Sequence, residues 1–269
     1  MTDSKKAASL AAFLAAVMLC ACLLPLLIPF TQRILSASPE KNAEGGTGSE
    51  PRSVALKQGD FIWFGTYRGE RLLWQTAGAD DGGRPLLLCD AVICFKAFDV
   101  PSASSEQPDA AAFGSSDWES CTLKRWLNAA DEPVEEYGET GFLSAENFTA
   151  AQRESLAAPG MFVPAKNELK ETAQTVSLKK KCRADALASN DYLVLPGQNV
   201  WYWTRTPNET SRVSVVTATS SGGFYKTLAC DANTGVCPAF FFRSKTVIVT
   251  GGDGSRTAPY LVEKGGAAE

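Results

Sequence analysis

From residue 200 to residue 250 the chain alternates short runs of aromatic and β-branched residues with turns built from glycine, asparagine and aspartate. Such runs can bury themselves only as paired strands, because a short extended segment leaves its backbone groups unsatisfied without a neighbour. The runs fall at 200–206, 212–219, 224–229, 239–242 and 245–250, which predicts a largely antiparallel arrangement. The densest is Trp201-Tyr202-Trp203-Thr204-Arg205-Thr206-Pro207, with three large aromatics and an arginine. Large aromatics dominate cores, so a core strand is the first reading of this stretch and an exposed binding surface the second.

The first half carries the same strand signals with a few helices. Runs at 59–67 and 71–77, joined by Arg68-Gly69-Glu70, read as a hairpin, and a third strand follows at 85–89. The Asp80-Asp81-Gly82-Gly83 segment lacks the ligand spacing of a calcium loop and reads as a plain turn. Residues 101–116 read as a long surface loop. Leu123, Trp126, Leu127 and Ala130 place an apolar stripe along one face of a helix. Thr149 and Gln152 have capping-box spacing at the start of a second helix that reaches Leu156 and ends at Pro159-Gly160. Lys179-Lys180-Lys181 and Arg183 are expected on the solvated face of a short helix carrying Cys182, Ala186 and Leu187. Asp231-Ala232-Asn233-Thr234-Gly235 offers calcium-like oxygen spacing but has the composition of a tight turn. The expected class is α+β, a single domain with antiparallel sheets and a few short helices, preceded by an N-terminal transmembrane helix.

The chain contains no histidine, which removes Ser-His-Asp and Cys-His nucleophile pairs and HExxH zinc sites. A formal net charge of −4 and a pI of about 5.2 give no long-range attraction to nucleic acid. Residues 7–30 carry no charged side chain and follow Lys5 and Lys6, a run long enough to cross a bilayer core. The charge flanks place residues 1–6 in the cytoplasm, residues 7–30 in the membrane as a retained signal anchor, and the remainder outside the cell. A lipoprotein signal with Cys22 lipidated and a cleaved signal peptide are the rival readings, and both also export the domain. Residues 31–53, rich in Ser, Pro, Glu and Gly, read as a flexible linker, residues 54–262 as the folded domain and residues 263–269 as a disordered tail.

Outside the anchor stand Cys89, Cys94, Cys121, Cys182, Cys230 and Cys237. An exported domain permits disulfides, and the pair Cys230–Cys237, flanking the 231–235 turn, is the first candidate if its Cα atoms lie within about 7 Å. Burial as reduced thiols is the alternative.

Several longer motifs carry a family resemblance: GDFIWFGTY (59–67) with LLW (72–74), DWESCTLKRWLN (117–128), GFLSAENFTAAQRESL (141–156), MFVPAKNEL (161–169), and YWTRTP (202–207) followed by GVCPAFF (235–241). In order and spacing the chain resembles the bacterial domain of unknown function 6273 family, a module of surface and secreted proteins, over roughly residues 56–242. The family's WLRSP-like block matches residues 202–207. Its later VRPAL-like block has arginine where this chain has Cys237. The pattern also looks like the C-type-lectin-like fold, shared with formylglycine-generating enzymes and variable bacterial surface receptors, although the calcium motif of true C-type lectins is absent.

The function expected from these readings is non-catalytic recognition of a carbohydrate or protein ligand by a membrane-anchored, extracellular domain. Trp201, Trp203, Arg205 and Tyr225 are the candidate ligand-binding residues, because aromatic faces stack on sugar rings and arginine adds directed donors. No catalytic residue, metal ligand or cofactor is assigned. One alternative is a thiol- or metal-dependent oxidoreductase of the formylglycine-generating kind. Another is a structural or signalling partner of a membrane protein, with Ala11, Ala12, Ala15 and Ala16 permitting close helix contact.

Overall fold

The computed structural model of the protein describes residues 50–186 and 195–266. The described residues all belong to one compact unit, Gly48–Glu269. The expected anchor at 7–30 and most of the expected linker lie outside the described residues. Among the described residues no helix is long and apolar enough to cross a membrane.

In chain order the strands begin with β1 (Arg52–Ala55), β2 (Phe61–Tyr67), β3 (Glu70–Ala79), β4 (Pro85–Cys89), β5 (Ala91–Val92) and β6 (Cys94–Phe95). A small ribbon of β7 (Pro133–Val134) and β8 (Glu139–Thr140) follows. The second half contributes β9 (Lys180–Cys182), β10 (Asn199–Val200), β11 (Tyr202–Asn208), β12 (Ser211–Ala218), β13 (Phe224–Leu228), β14 (Gly235–Val236), β15 (Ala239–Phe241), β16 (Thr246–Val249) and β17 (Tyr260–Gly265). Four short α-helices lie between them: α1 (Pro108–Phe113), α2 (Thr122–Asn128), α3 (Ala150–Glu154) and α4 (Lys166–Thr172). The class is α+β. A seven-stranded sheet runs β1-β16-β17-β2-β3-β4-β15, a five-stranded sheet β13-β12-β11-β14-β6, and a three-stranded sheet β10-β9-β5. Most pairs are antiparallel, but β17–β2, β11–β14 and β5–β9 are parallel, so the sheets are mixed.

The β2–β3 hairpin forms where the sequence places it. Tyr67 pairs with Glu70 across Arg68 and Gly69, whose φ values of 54° and 79° are the pair of positive angles that matches a tight turn to strand twist. Inside the seven-stranded sheet Trp74 donates its Nε1 to the Phe64 carbonyl at 2.7 Å, and Phe240 meets both the Trp74 and Phe64 rings at 4.9 and 5.3 Å. Gly65, at φ +72°, lies against the buried Phe148 ring so closely that a Cβ there would fall 2.1 Å from a ring carbon.

Helix α2 buries Leu123, Trp126 and Leu127 as expected but ends at Asn128, leaving Ala130 outside it and exposed, and α3 has both halves of the Thr149–Gln152 capping box. The ribbon β7–β8 delivers Glu139 to the ammonium of Lys96 at 2.8 Å. Lys96 is buried between the rings of Trp126 and Tyr137, at 4.7 and 4.3 Å. A buried charge is tolerable only when paired in this way.

Several sequence expectations are corrected. Residues 180–182 form β9 rather than a helix: the alternation turns Lys180 and Cys182 inward and Lys181 outward, a period of two that the basic run conceals. Leu187 lies outside the described residues. The 101–116 loop contains α1, begun by Pro108 at its first turn. Strand β1 starts at Arg52, inside the expected linker, held by pairing with β16. Strand β17 runs to Gly265, inside the expected tail, because β16 pairs with it as far as Gly265, while β2 pairs with its first two residues.

Candidate functional site

Residues 199–208 connect the three-stranded sheet to the five-stranded one, and the two tryptophans of this stretch have opposite fates. Trp203 lies within β11 opposite Thr217, fully buried under Phe98 at 5.5 Å, and donates its Nε1 to the Lys96 carbonyl at 2.8 Å. Trp201 precedes the strand and is 40% exposed. It meets Tyr225 of the edge strand β13, itself 59% exposed, edge to face at 5.7 Å.

Trp201 forms one wall of a cleft of about 550 Å³. Phe95 and Val200 supply apolar lining, and Gln198, Asn199, Lys226, Asp231 and Asn233 supply polar groups around it. The 231–234 segment is held as an Asx turn: the Asp231 carboxylate accepts from the Asn233 amide and the Thr234 hydroxyl, both at 2.9 Å. Each carboxylate oxygen keeps a further acceptor position for a ligand hydroxyl. An aromatic edge beside amide, hydroxyl and ionic groups can seat a flat polar ring, with stacking for the ring and hydrogen bonds for its substituents.

The structure therefore brings together Trp201 and Tyr225 and separates them from the other two candidates. Trp203 is core. Arg205 is held elsewhere: Glu168 of α4 grips its guanidinium with both oxygens, Nη1 also donates to the Val163 carbonyl at 3.0 Å, and the Phe162 ring lies 4.5 Å below. With its donors committed to tying α4 to β11, Arg205 does not line the cleft. Gln198, Asn199 and Lys226 were not singled out from the sequence, and Asn233 only within the 231–235 turn, since polar residues in turns look alike until the fold gathers them.

The six described cysteines are all free. The bridge expected between Cys230 and Cys237 is not formed. Cys237 is drawn into the core, where its Sγ donates to the Cys89 carbonyl at 3.2 Å, while Cys230 stays half-buried where β13 ends. The turn between them is closed by Asp231 instead. Burial pushes the thiols of Cys89 and Cys182 up to about 11 and those of Cys94 and Cys121 up to about 12, and it raises Cys237 further. Thiols held protonated in this way are poor nucleophiles and poor metal ligands. Titration with an aromatic disulfide reagent at pH 8 is expected to modify Cys230 first, with Cys89, Cys94, Cys121 and Cys237 reacting only on unfolding. Rapid labelling of Cys89 or Cys237 in the native protein would show an accessible thiol pair and reopen thiol chemistry.

No curated protein and no solved structure matches the chain. The cleft residues apart from Phe95, together with Tyr225, Trp203, Arg205 and Glu168, fall within residues 161–244, and this segment matches the model of the family described as Domain of unknown function (DUF6273), the family that the sequence motifs resemble.

Proposed function

We propose that the protein is a non-catalytic ligand-recognition domain whose cleft beside Trp201 takes a saccharide, and that residues 7–30 anchor it in the membrane with the domain outside. The observation that carries this reading is the exposed Trp201–Tyr225 pair beside a polar cleft, in a protein whose other large aromatics are mostly buried. An exposed indole loses little by meeting water and gains by stacking on the C–H face of a pyranose. The amide side chains of Gln198, Asn199 and Asn233 both donate and accept, as sugar hydroxyls require. A C-type-lectin-like arrangement is the fold that goes with this reading, supported by the Trp-rich strand and the final apolar strands. The anchor is supported by the uncharged run at 7–30.

Among the tryptophans Trp201 is the most exposed, so its emission reports occupancy of the cleft. Titrating the full chain in detergent with oligosaccharides is expected to shield Trp201 from acrylamide quenching. Trp201→Ala and Tyr225→Ala are each expected to weaken binding by on the order of tenfold, the effect of losing about 1.4 kcal/mol of ring contact. Saccharide binding that survives both substitutions, or a preference for peptides over saccharides, would overturn this assignment.

A further inference from the structure

We infer that the saccharide taken by this cleft is an acidic one, carrying a carboxylate on its ring; the inference rests on the reading of the cleft as a saccharide site. The fold brings lysines from two distant segments, 179–181 and 226, to the cleft and its rim. Lys226 lines it from β13. Lys181, turned outward on β9, stands directly opposite the lining residue Asn199 of β10. Lys179 packs its stem near Gly222, with its Cγ 3.6 Å from where a Cβ would stand, at the turn that carries the lining residue Ser220. All three are exposed, and none forms an ion pair among the described residues.

This concentration of ammonium groups runs against the composition, since the chain as a whole carries a net charge of −4. Elsewhere in the domain basic side chains are often tied to carboxylates, as in Arg183–Asp185, Arg205–Glu168 and Arg256–Asp90. Among the described residues the lining holds a single carboxylate, Asp231, whose oxygens each accept one hydrogen bond from the 231–234 turn. The ligand that satisfies this arrangement offers hydroxyls to Asp231 and the amides, a ring face to Trp201 and a carboxylate to Lys226 and Lys181. Uronate sugars have all three features. The ammonium groups lie near the surface, so each contributes modestly and their joint effect is screened by salt over about 8 Å at physiological ionic strength.

Tetragalacturonate and its methyl ester share one backbone and differ in charge, so they isolate this term. Calorimetric titration of the full chain in detergent is expected to give affinity for the acid on the order of fivefold or more above that for the ester, falling with added salt. In the Lys181→Gln/Lys226→Gln double variant the two ligands should bind alike, at the affinity the parent chain has for the ester. Equal binding of acid and ester by the parent chain overturns the inference and leaves the saccharide reading standing. Binding of the acid that Trp201→Ala leaves unchanged overturns it too, since it would mark diffuse attraction to a basic surface. Failure of both ligands, with binding of other, neutral saccharides, also overturns it, and failure of every saccharide overturns both readings.

Discussion

Replacing Trp203 by alanine is expected to lower the free energy of unfolding by about 3–5 kcal/mol, while Trp201→Ala costs about 1 kcal/mol. The two residues stand two apart in sequence, Trp201 just before β11 and Trp203 within it, and have the same chemistry, so the difference measures burial. Trp203 loses its packing against Phe98 and leaves the Lys96 carbonyl without its donor. That carbonyl follows β6 at the edge of the five-stranded sheet, so the damage extends to the seam between the sheet and the Lys96–Glu139 pair. Trp201 loses only its edge-to-face contact with Tyr225 and some exposed area. Urea unfolding followed by far-ultraviolet circular dichroism checks both. Similar midpoints for the two variants would mean that Trp203 is not in the core.

Gly65→Ala should be nearly as damaging, at about 2–5 kcal/mol. A left-handed backbone costs an L-residue about 1–2 kcal/mol, and forcing a methyl into a packed core costs about 1–3 kcal/mol more. The methyl would overlap the Phe148 ring, which cannot retreat because Phe64 and Phe142 hold it at 5.8 and 5.3 Å. Gly69 provides the control. Its φ of +79° is equally left-handed, but nothing lies within 4 Å of its missing Cβ, so Gly69→Ala should show the backbone cost alone, about 1–2 kcal/mol. Thermal and urea unfolding of the two variants separates the terms, and equal destabilisation would show that the Phe148 ring has room to move. Phe148→Leu in the Gly65→Ala background should restore part of the loss if the ring is the obstacle.

Local rules were enough for the elements they govern. The positive-φ pair at Arg68-Gly69, the capping box at Thr149 and the buried stripe of α2 all lie within a few residues of sequence, and all are present. What escaped depends on contacts between distant segments. β9 is a strand because Ala91 and Asn199 pair with Lys181 from either side, and no property of the lysine run itself indicates that. β17 starts beside β2, which pairs in parallel with Tyr260 and Leu261 from the far end of the domain, and continues along β16. The site divided in the same way. The aromatic stretch pointed to the correct region, yet only the position of Phe98 distinguishes the covered tryptophan from the open one. Arg205 drew notice as an arginine beside tryptophans, and its carboxylate partner lies thirty-seven residues away on α4.

The place of β17 also sets a schedule for assembly. It sits between β16 and β2, so the seven-stranded sheet cannot close until residues 260–265 have left the ribosome. Until then β2 presents a bare edge and the β1–β16 pair has nothing to join, a state prone to capture by other nascent chains. The largest sheet is thus two prefabricated pieces, β1–β16 and β2-β3-β4-β15, riveted together by one strand, and each keeps an open edge until that strand is in place.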